Sequence, residues 1–257
     1  MFSANTPSDN SLSRRIRVLV IDRHPAIGDA FSGLLRRTKD MIYCGQATSA
    51  IEAYDHIAIA KPDVIIISLS LDDAYGLDLT MQLVPQHPNL QILVFSQYDE
   101  QIFAERAIEA GATGYIMKRT GMNDVLEGIR SVMRNETFLS TSMTARLLNK
   151  ITKGAAAVSN TVMDQLTHRE LAVLLMMGEG ASPQDMADRL KLDRKTVETH
   201  RRRVKEKLGF ESVSALLHFA TQWRHSQGTL SPSDINDPNN SNSSLPPRQQ
   251  KTTVSSN

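Results

Sequence analysis

The chain has 257 residues, 40% of them hydrophobic, and a formal net charge of +1. That length allows two compact domains, and the near-neutral balance makes any positive field local rather than global. A single cysteine, Cys44, excludes an internal disulfide and a cysteine-based zinc cluster and reads as a small buried hydrophobe near a strand.

The first residues, MFSANTPSDNSLSRR, contain no apolar h-region, and no run approaches the ~20 apolar residues of a membrane helix. Residues 1–14 are expected to be disordered, with the protein in the cytoplasm and no membrane partner. From 15 to 136 the pattern alternates strand and helix. Ile16 to Ile21, Val64 to Ile67 and Ile92 to Phe95 are nearly continuous aliphatic runs, as expected of parallel strands covered on both faces. Weaker strands near Tyr43 to Ala47 and Gly114 to Met117 bring the set to five. The fold class is α/β, a doubly wound five-stranded parallel sheet of flavodoxin-like type, followed by a small all-α domain. In such a sheet the site forms at the carboxyl ends of the strands, which places Asp22, Arg23, Ser68, Ser96 and Lys118 around one crevice.

Residues 137–163 read as a linker, with an amphipathic segment from Met143 to Ile151 and a hinge at Gly154 to Asn160. Residues 164–226 then read as short helices with clear end signals. Thr167 and Glu170 form a capping box, and Gly178 and Gly180 end the helix it opens. Ser182 and Pro183 open a second helix. Asp193 caps a third, Arg194 to Leu208, which Gly209 closes. A last helix, Ser212 to Arg224, carries Val213, Leu216, Leu217, Ala220 and Trp223. This stripe suits either the domain core, where Leu216 and Leu217 are expected, or a dimer seam. Beyond it, 227–257 turns to Ser, Asn and Pro and is expected to be disordered.

On a 3.6-residue wheel the third helix places Val197, Val204 and Leu208 on one stripe, with Lys195, Glu198, Thr199, Arg202 and Glu206 opposite. His200 falls toward the packing side and reads as a satisfied structural histidine. From Arg194 to Lys207 seven basic residues stand against two acidic ones, a net of +5, which suits a polyphosphate partner. Two helices and a turn that aim a basic helix outward are a helix-turn-helix for double-stranded DNA.

The stretch LTHRELAVL followed by DMADRLKLDRKTVETHRRRVKEKLG resembles the LuxR-type helix-turn-helix that ends response regulators of the NarL/FixJ family, over about sixty residues. The resemblance implies base reading by Glu198, Thr199 and Arg202, phosphate contacts from Lys195, Thr196, Arg203 and Lys205, and a homodimer on an inverted repeat. The first half, with VLVIDRHP, PDVIIISLSL, QILVFS and EAGATGYIMK, resembles the receiver domain of a response regulator of two-component systems. Receivers present two adjacent acidic residues after the first strand and an aspartate after the third. These bind Mg²⁺, and the latter accepts a phosphoryl group. Here Asp22 is followed by Arg23, and Ser68 stands at the acceptor position, while Ser96 and Lys118 match the switch hydroxyl and the phosphate-binding lysine.

Replacing one carboxylate by a guanidinium and another by a hydroxyl removes two anionic donors and adds a cation, which argues against a metal or any other cofactor. An unactivated serine is also a poor nucleophile. Asp22 and Arg23 read as a local ion pair where the metal would sit, and Asp72 and Asp73 are the only nearby carboxylates that could replace the acceptor. The chain thus reads as a DNA-binding, non-enzymatic transcription regulator with a pseudo-receiver, set by protein level, a regulatory protein or a ligand at the receiver-like half. Two alternatives remain. One is a conventional phosphorylated response regulator with a displaced acceptor. The other is an interaction or ligand-sensing module with secondary DNA binding.

Overall fold

The computed structural model describes residues 14–153 and 162–226. Except for Arg14, which pairs with Asp63 at 2.9 Å, the expected disordered ends lie outside those residues, as does the hinge at Gly154 to Asn160. Five strands, β1 (Ile16–Ile21), β2 (Met41–Ala47), β3 (Val64–Ile67), β4 (Gln91–Ser96) and β5 (Gly114–Met117), form one sheet in the order β2-β1-β3-β4-β5, with every pairing parallel. Helices α1 (Pro25–Leu35), α2 (Ala50–Ala60), α3 (Gly76–Gln86), α4 (Glu100–Glu109) and α5 (Met122–Met133) make the crossovers. The β1, β3 and β4 runs are mostly aliphatic because both of their faces are covered, whereas the edge strand β2, MIYCGQA, is half-buried along its middle. Val18, Val20, Val64, Ile66 and Leu93 pack under α1 and α5 with Phe31, Leu35, Val125 and Ile129. Leu19, Ile21, Ile65, Ile67 and Val94 face α2, α3 and α4.

The chain steps from β1 outward to β2 and then back across to β3, so the strand order reverses at the carboxyl ends of β1 and β3 and leaves a crevice there. One glycine is demanded at this point. Gly76, the first residue of α3, donates its N–H to Leu69 O, and a Cβ on it would lie 2.0 Å from the Ser68 carbonyl oxygen.

The segment read as a linker contains α6 (Thr141–Lys153), longer than its apolar pattern suggested. It runs along α4, where Lys150 pairs with Glu105 and Arg146 donates to Gln101 at 3.2 Å. A 3-10 turn, Val162–Gln165, leads into α7 (His168–Gly178), α8 (Pro183–Leu190), α9 (Arg194–Lys207) and α10 (Val213–His225). The apolar cluster on the α2–α4 face does not end with the sheet. It continues without a break through Tyr75, Tyr98 and Phe103 into Trp223, Met186, Leu190 and the core of these C-terminal helices.

Candidate nucleic-acid interface and acceptor crevice

The β1–β3 register ends with Ile21 beside Ile67, so the next residues, Asp22 and Ser68, lie side by side. Asp22 N–H donates to Ala47 O at 3.0 Å and Ser68 N–H to Ile21 O at 2.9 Å. Lys118 N–H donates to Ser96 O at 2.6 Å, which brings the ends of β4 and β5 to the same rim. Asp22, Ser68, Ser96 and Lys118 thus meet as the strand pattern predicts.

Their bonds differ from the expected pattern at Arg23. Asp22 is 3% exposed. Its Oδ1 accepts from His24 N–H at 3.0 Å and lies 2.9 Å from His24 Nδ1, and its Oδ2 pairs with the Lys118 ammonium. The expected Asp22–Arg23 pair does not form. Successive side chains leaving a strand point to opposite sides, and Arg23 extends away from the sheet to reach Glu179 Oε2 at 3.2 Å, in the turn between α7 and α8. Ser68 is buried, and Ser96 Oγ accepts from Tyr98 N–H at 3.1 Å. Asp73 is engaged at the start of α2, accepting from Ala50 N–H at 2.6 Å and Ile51 N–H at 3.3 Å, where the helix dipole favours an anion. Asp72 is exposed.

Receivers hold Mg²⁺ at this rim, and a hard ion of that kind requires near-octahedral oxygen donors. Here the one carboxylate already neutralises an ammonium, its neighbour is a guanidinium pointing elsewhere, and the third position offers a hydroxyl. These residues do not fit the ion. Among the described residues no group of three or more His, Cys, Asp or Glu is placed to hold a metal.

The C-terminal helices follow their end signals closely. Thr167 and Glu170 form the capping box, Thr167 N–H donating to Glu170 Oε2 at 2.8 Å. Ser182 and Asp185 form a second box with Pro183 in the first turn. Asp193 caps α9 through Thr196 N–H at 2.9 Å. Gly180 and Gly209 take the left-handed φ values of 80° and 74° that stop the helices before them. Glu170 is 2% exposed and also receives the Lys207 ammonium at 2.6 Å, which fixes the end of α9 to the start of α7. Burial pushes the Glu170 carboxyl up, but Lys207 and the Thr167 backbone outweigh it and hold it below its ordinary range.

Val197 and Val204 are fully buried, which turns Lys195, Glu198, Arg202 and Arg203 to solvent. Thr199 is half-buried and its hydroxyl donates to Lys195 O at 2.9 Å. Thr196 directs its hydroxyl to Asp193 at 2.7 Å, and Lys205 rests its ammonium on Glu211 O at 3.3 Å. Among the described residues the side-chain hydrogen bonds and ion pairs of α9 stay within 164–226. His200 faces the packing side as expected, and burial holds its imidazole below the usual histidine pKa. Its Nδ1, however, is buried without a hydrogen-bond partner among the described residues, so it is not the satisfied histidine expected.

The last helix corrects a further expectation. Leu216 is core, but Leu217 is 42% exposed, beside Val213 at 46%. Trp223 is fully buried and stacks on Tyr98 of the α/β half, with centroids 6.0 Å apart and rings 19° from parallel. Sequence reasoning also missed the contacts of the two halves. Ser70 Oγ donates to Glu179 Oε1 at 2.6 Å, Arg189 to Glu179 Oε2 and to Leu71 O at 2.9 Å each, and Arg169 to Asp78. The helical spacing places Trp223 on the apolar stripe of the last helix, but nothing local marks the other half of the chain as its partner.

Comparison with known proteins agrees with both halves. The response regulator receiver domain model matches residues 18–130, and that of the luxR family of bacterial regulatory proteins matches 164–220. The chain is 29% identical over 209 residues to the oxygen regulatory protein NreC of Staphylococcus carnosus (strain TM300), covering 80% of this chain and 96% of that one. RcsB from Salmonella enterica serovar Typhimurium, solved bound to promoter rprA in the presence of phosphomimetic BeF3−, aligns with a TM-score of 0.63 at 20% identity, over 81% of this chain and 99% of that one. A structure of two RcsB dimers bound to two parallel DNAs aligns at 0.62 and 20% identity, over 80% and 99%. Among the described residues no helix is long and apolar enough to cross a membrane. A receiver domain followed by a luxR-family helix-turn-helix makes this chain a DNA-binding response regulator of the NarL/LuxR type.

Proposed function

We propose that this regulator controls transcription from double-stranded DNA without aspartyl phosphorylation, its receiver domain being a degenerate one. The observation that carries the reading is the state of Asp22. Its two oxygens serve Lys118 and His24 while Arg23 leaves the crevice and Ser68 stands where the acceptor carboxylate would be. Phosphoryl transfer rests on positioning and on charge neutralisation by the metal, and this rim offers neither a metal site nor a carboxylate acceptor. A displaced acceptor gains no support from Asp73, whose carboxylate caps α2.

The DNA interface is α9, with Glu198, Thr199 and Arg202 reading base edges and Lys195, Thr196, Arg203 and Lys205 on phosphates. The outward face of the helix supports this assignment, since Glu198 and Arg202 are exposed and Val197 and Val204 are buried beneath them. The working parts are a receiver-like domain over 15–136, a linker over 137–163 and a DNA-binding domain over 164–226, acting in the cytoplasm as a homodimer on an inverted repeat. RcsB has been solved as dimers on DNA, and the exposed Val213 and Leu217 of α10 are available for such a seam. Control passes through protein level, a regulatory protein or a ligand at the receiver-like half.

The test is operator affinity with and without acetyl phosphate and Mg²⁺, together with labelling of the chain by a radioactive phosphodonor. No labelling and unchanged affinity are expected. A phosphate-dependent gain of tenfold, about 1.4 kcal/mol, would refute the reading.

A further inference from the structure

We infer that the loop beside the acceptor crevice, Ser70 and Leu71 with Arg23, serves as the docking socket for the chain's own DNA-binding half, with Arg23 as its clasp, and that the docked form is the one that presents α9 to DNA. The inference rests on the proposed function only for its DNA part.

The socket is built from both sides. Glu179 belongs to the turn between α7 and α8, yet its side chain is only 6% exposed, because Ser70 and Arg23 of the receiver half and Arg189 close around it. One oxygen accepts from Ser70, two residues past Ser68, at 2.6 Å. The other lies between Arg23 at 3.2 Å and Arg189 at 2.9 Å. Arg189 itself is 13% exposed and also donates to Leu71 O at 2.9 Å, on the receiver side. A carboxylate buried this far is tolerated only when it is paired and hydrogen-bonded, and two of its three partners, Ser70 and Arg23, come from the other domain. With an acidic residue at position 23, as receivers carry, Glu179 would face a like charge instead of a guanidinium. The substitution that removes a metal ligand thus also supplies the interdomain cation.

Two further contacts fix the orientation. Asp78, at the start of α3, pairs with Arg169 and lies 3.5 Å from His168 Nε2, both on α7. Trp223 stacks on Tyr98 and lies 6.1 Å from Phe103, and Tyr98 takes its backbone position from Ser96 Oγ. These contacts use the first turn of α7, the α7–α8 turn, the end of α8 and the end of α10. They leave the outer face of α9 open, with the Arg202 side chain 68% exposed and that of Glu198 48% exposed.

The test is hydrogen exchange on the full chain, followed in peptides covering 68–76 and 176–184, with a β1 peptide as the folding control. Arg23→Lys keeps the charge and is expected to exchange within about threefold of the wild type. Arg23→Gln is expected to speed exchange in both loops about tenfold, and Arg23→Asp more, with β1 unchanged. Equal exchange of both loops in Arg23→Asp and in the wild type would overturn the clasp. In parallel, affinity is measured for a duplex selected by the wild-type chain from a random pool. Arg23→Asp is expected to bind it no more tightly than the wild type. A tenfold gain would make the docked form an inhibited one and overturn the second half of the inference. A wild-type chain that selects no duplex would instead refute the proposed function, and the exchange result would still decide the clasp.

Discussion

Replacing Arg203 by alanine removes one exposed guanidinium from the flank of α9, and the size of the effect follows from the charges around it. Of the cations assigned to phosphate, Lys195 and Arg203 are exposed, and Lys205 lies half-buried with its ammonium on the Glu211 carbonyl. With all three engaged, a dimer makes about six phosphate contacts, and each releases counterions worth about 0.9 in the slope of log affinity against log salt. The wild-type slope is then about −5, a loss of roughly a thousandfold between 50 and 200 mM salt. Arg203→Ala removes one contact per protomer, so the slope moves to about −3.6 and the same salt step costs about 150-fold. Fluorescence anisotropy on a labelled operator across that range measures both slopes. The Arg203 side chain is exposed, so folding is not expected to change. A slope unchanged within about 0.5 would remove Arg203 from the phosphate contacts and with it the orientation assigned to α9.

Arg202→Ala is expected to act differently, costing about 1–3 kcal/mol on the selected operator and relaxing preference at one base pair per half-site, with the salt slope little changed. Competition against operators varied one position at a time checks it. Ser68→Asp alone is not expected to restore phosphorylation, because Arg23 remains. The Ser68→Asp, Arg23→Asp pair returns two carboxylates beside Asp22, and Mg²⁺-dependent incorporation from acetyl phosphate should appear only there. Trp223→Ala leaves a cavity under Tyr98 and Phe103 and is expected to destabilise the chain by about 3–5 kcal/mol, read in urea unfolding. His200 has its pKa depressed by burial, so its contribution to stability is fully present above the ordinary histidine pKa and is lost as pH falls through the depressed value. The thermal midpoint of the wild type should therefore fall more steeply than that of His200→Gln as pH drops below the ordinary histidine pKa.

The sheet was legible because each strand is a local aliphatic run, and the position of the crevice followed from strand order alone. Caps were equally local. Thr167, Ser182 and Asp193 each announce a helix within three residues, and the α9 wheel turned the right residues outward. Failures came where a side chain's partner is distant in sequence. Ser70 and Glu179 are 109 positions apart, and no periodicity in either segment marks them as a pair. Arg23 was therefore given its nearest neighbour, Asp22, when strand alternation had already pointed it elsewhere. Leu217 was assigned to the core by its spacing, but Trp223 and Phe219 had filled the buried face of α10.

Coupling in a receiver domain requires a signal that binds two conformations unequally. On the proposed reading the bias lies in side chains. Tyr115 is buried and donates to Tyr98 O at 2.8 Å, Tyr98 stacks on Trp223, and Lys118 is committed to Asp22. On the proposed reading a phosphoryl group does not supply that bias, because Ser68 stands at the acceptor position and Arg23 beside Asp22. Any physiological signal has instead to differ in affinity between the docked and the released forms, by about 1.4 kcal/mol for each tenfold change in their ratio. The surface where such a signal acts most directly is the one around Arg23, Ser70 and Glu179, because a partner or ligand that competes for the Glu179 carboxylate takes the shared anion from one arginine on each domain, Arg23 and Arg189.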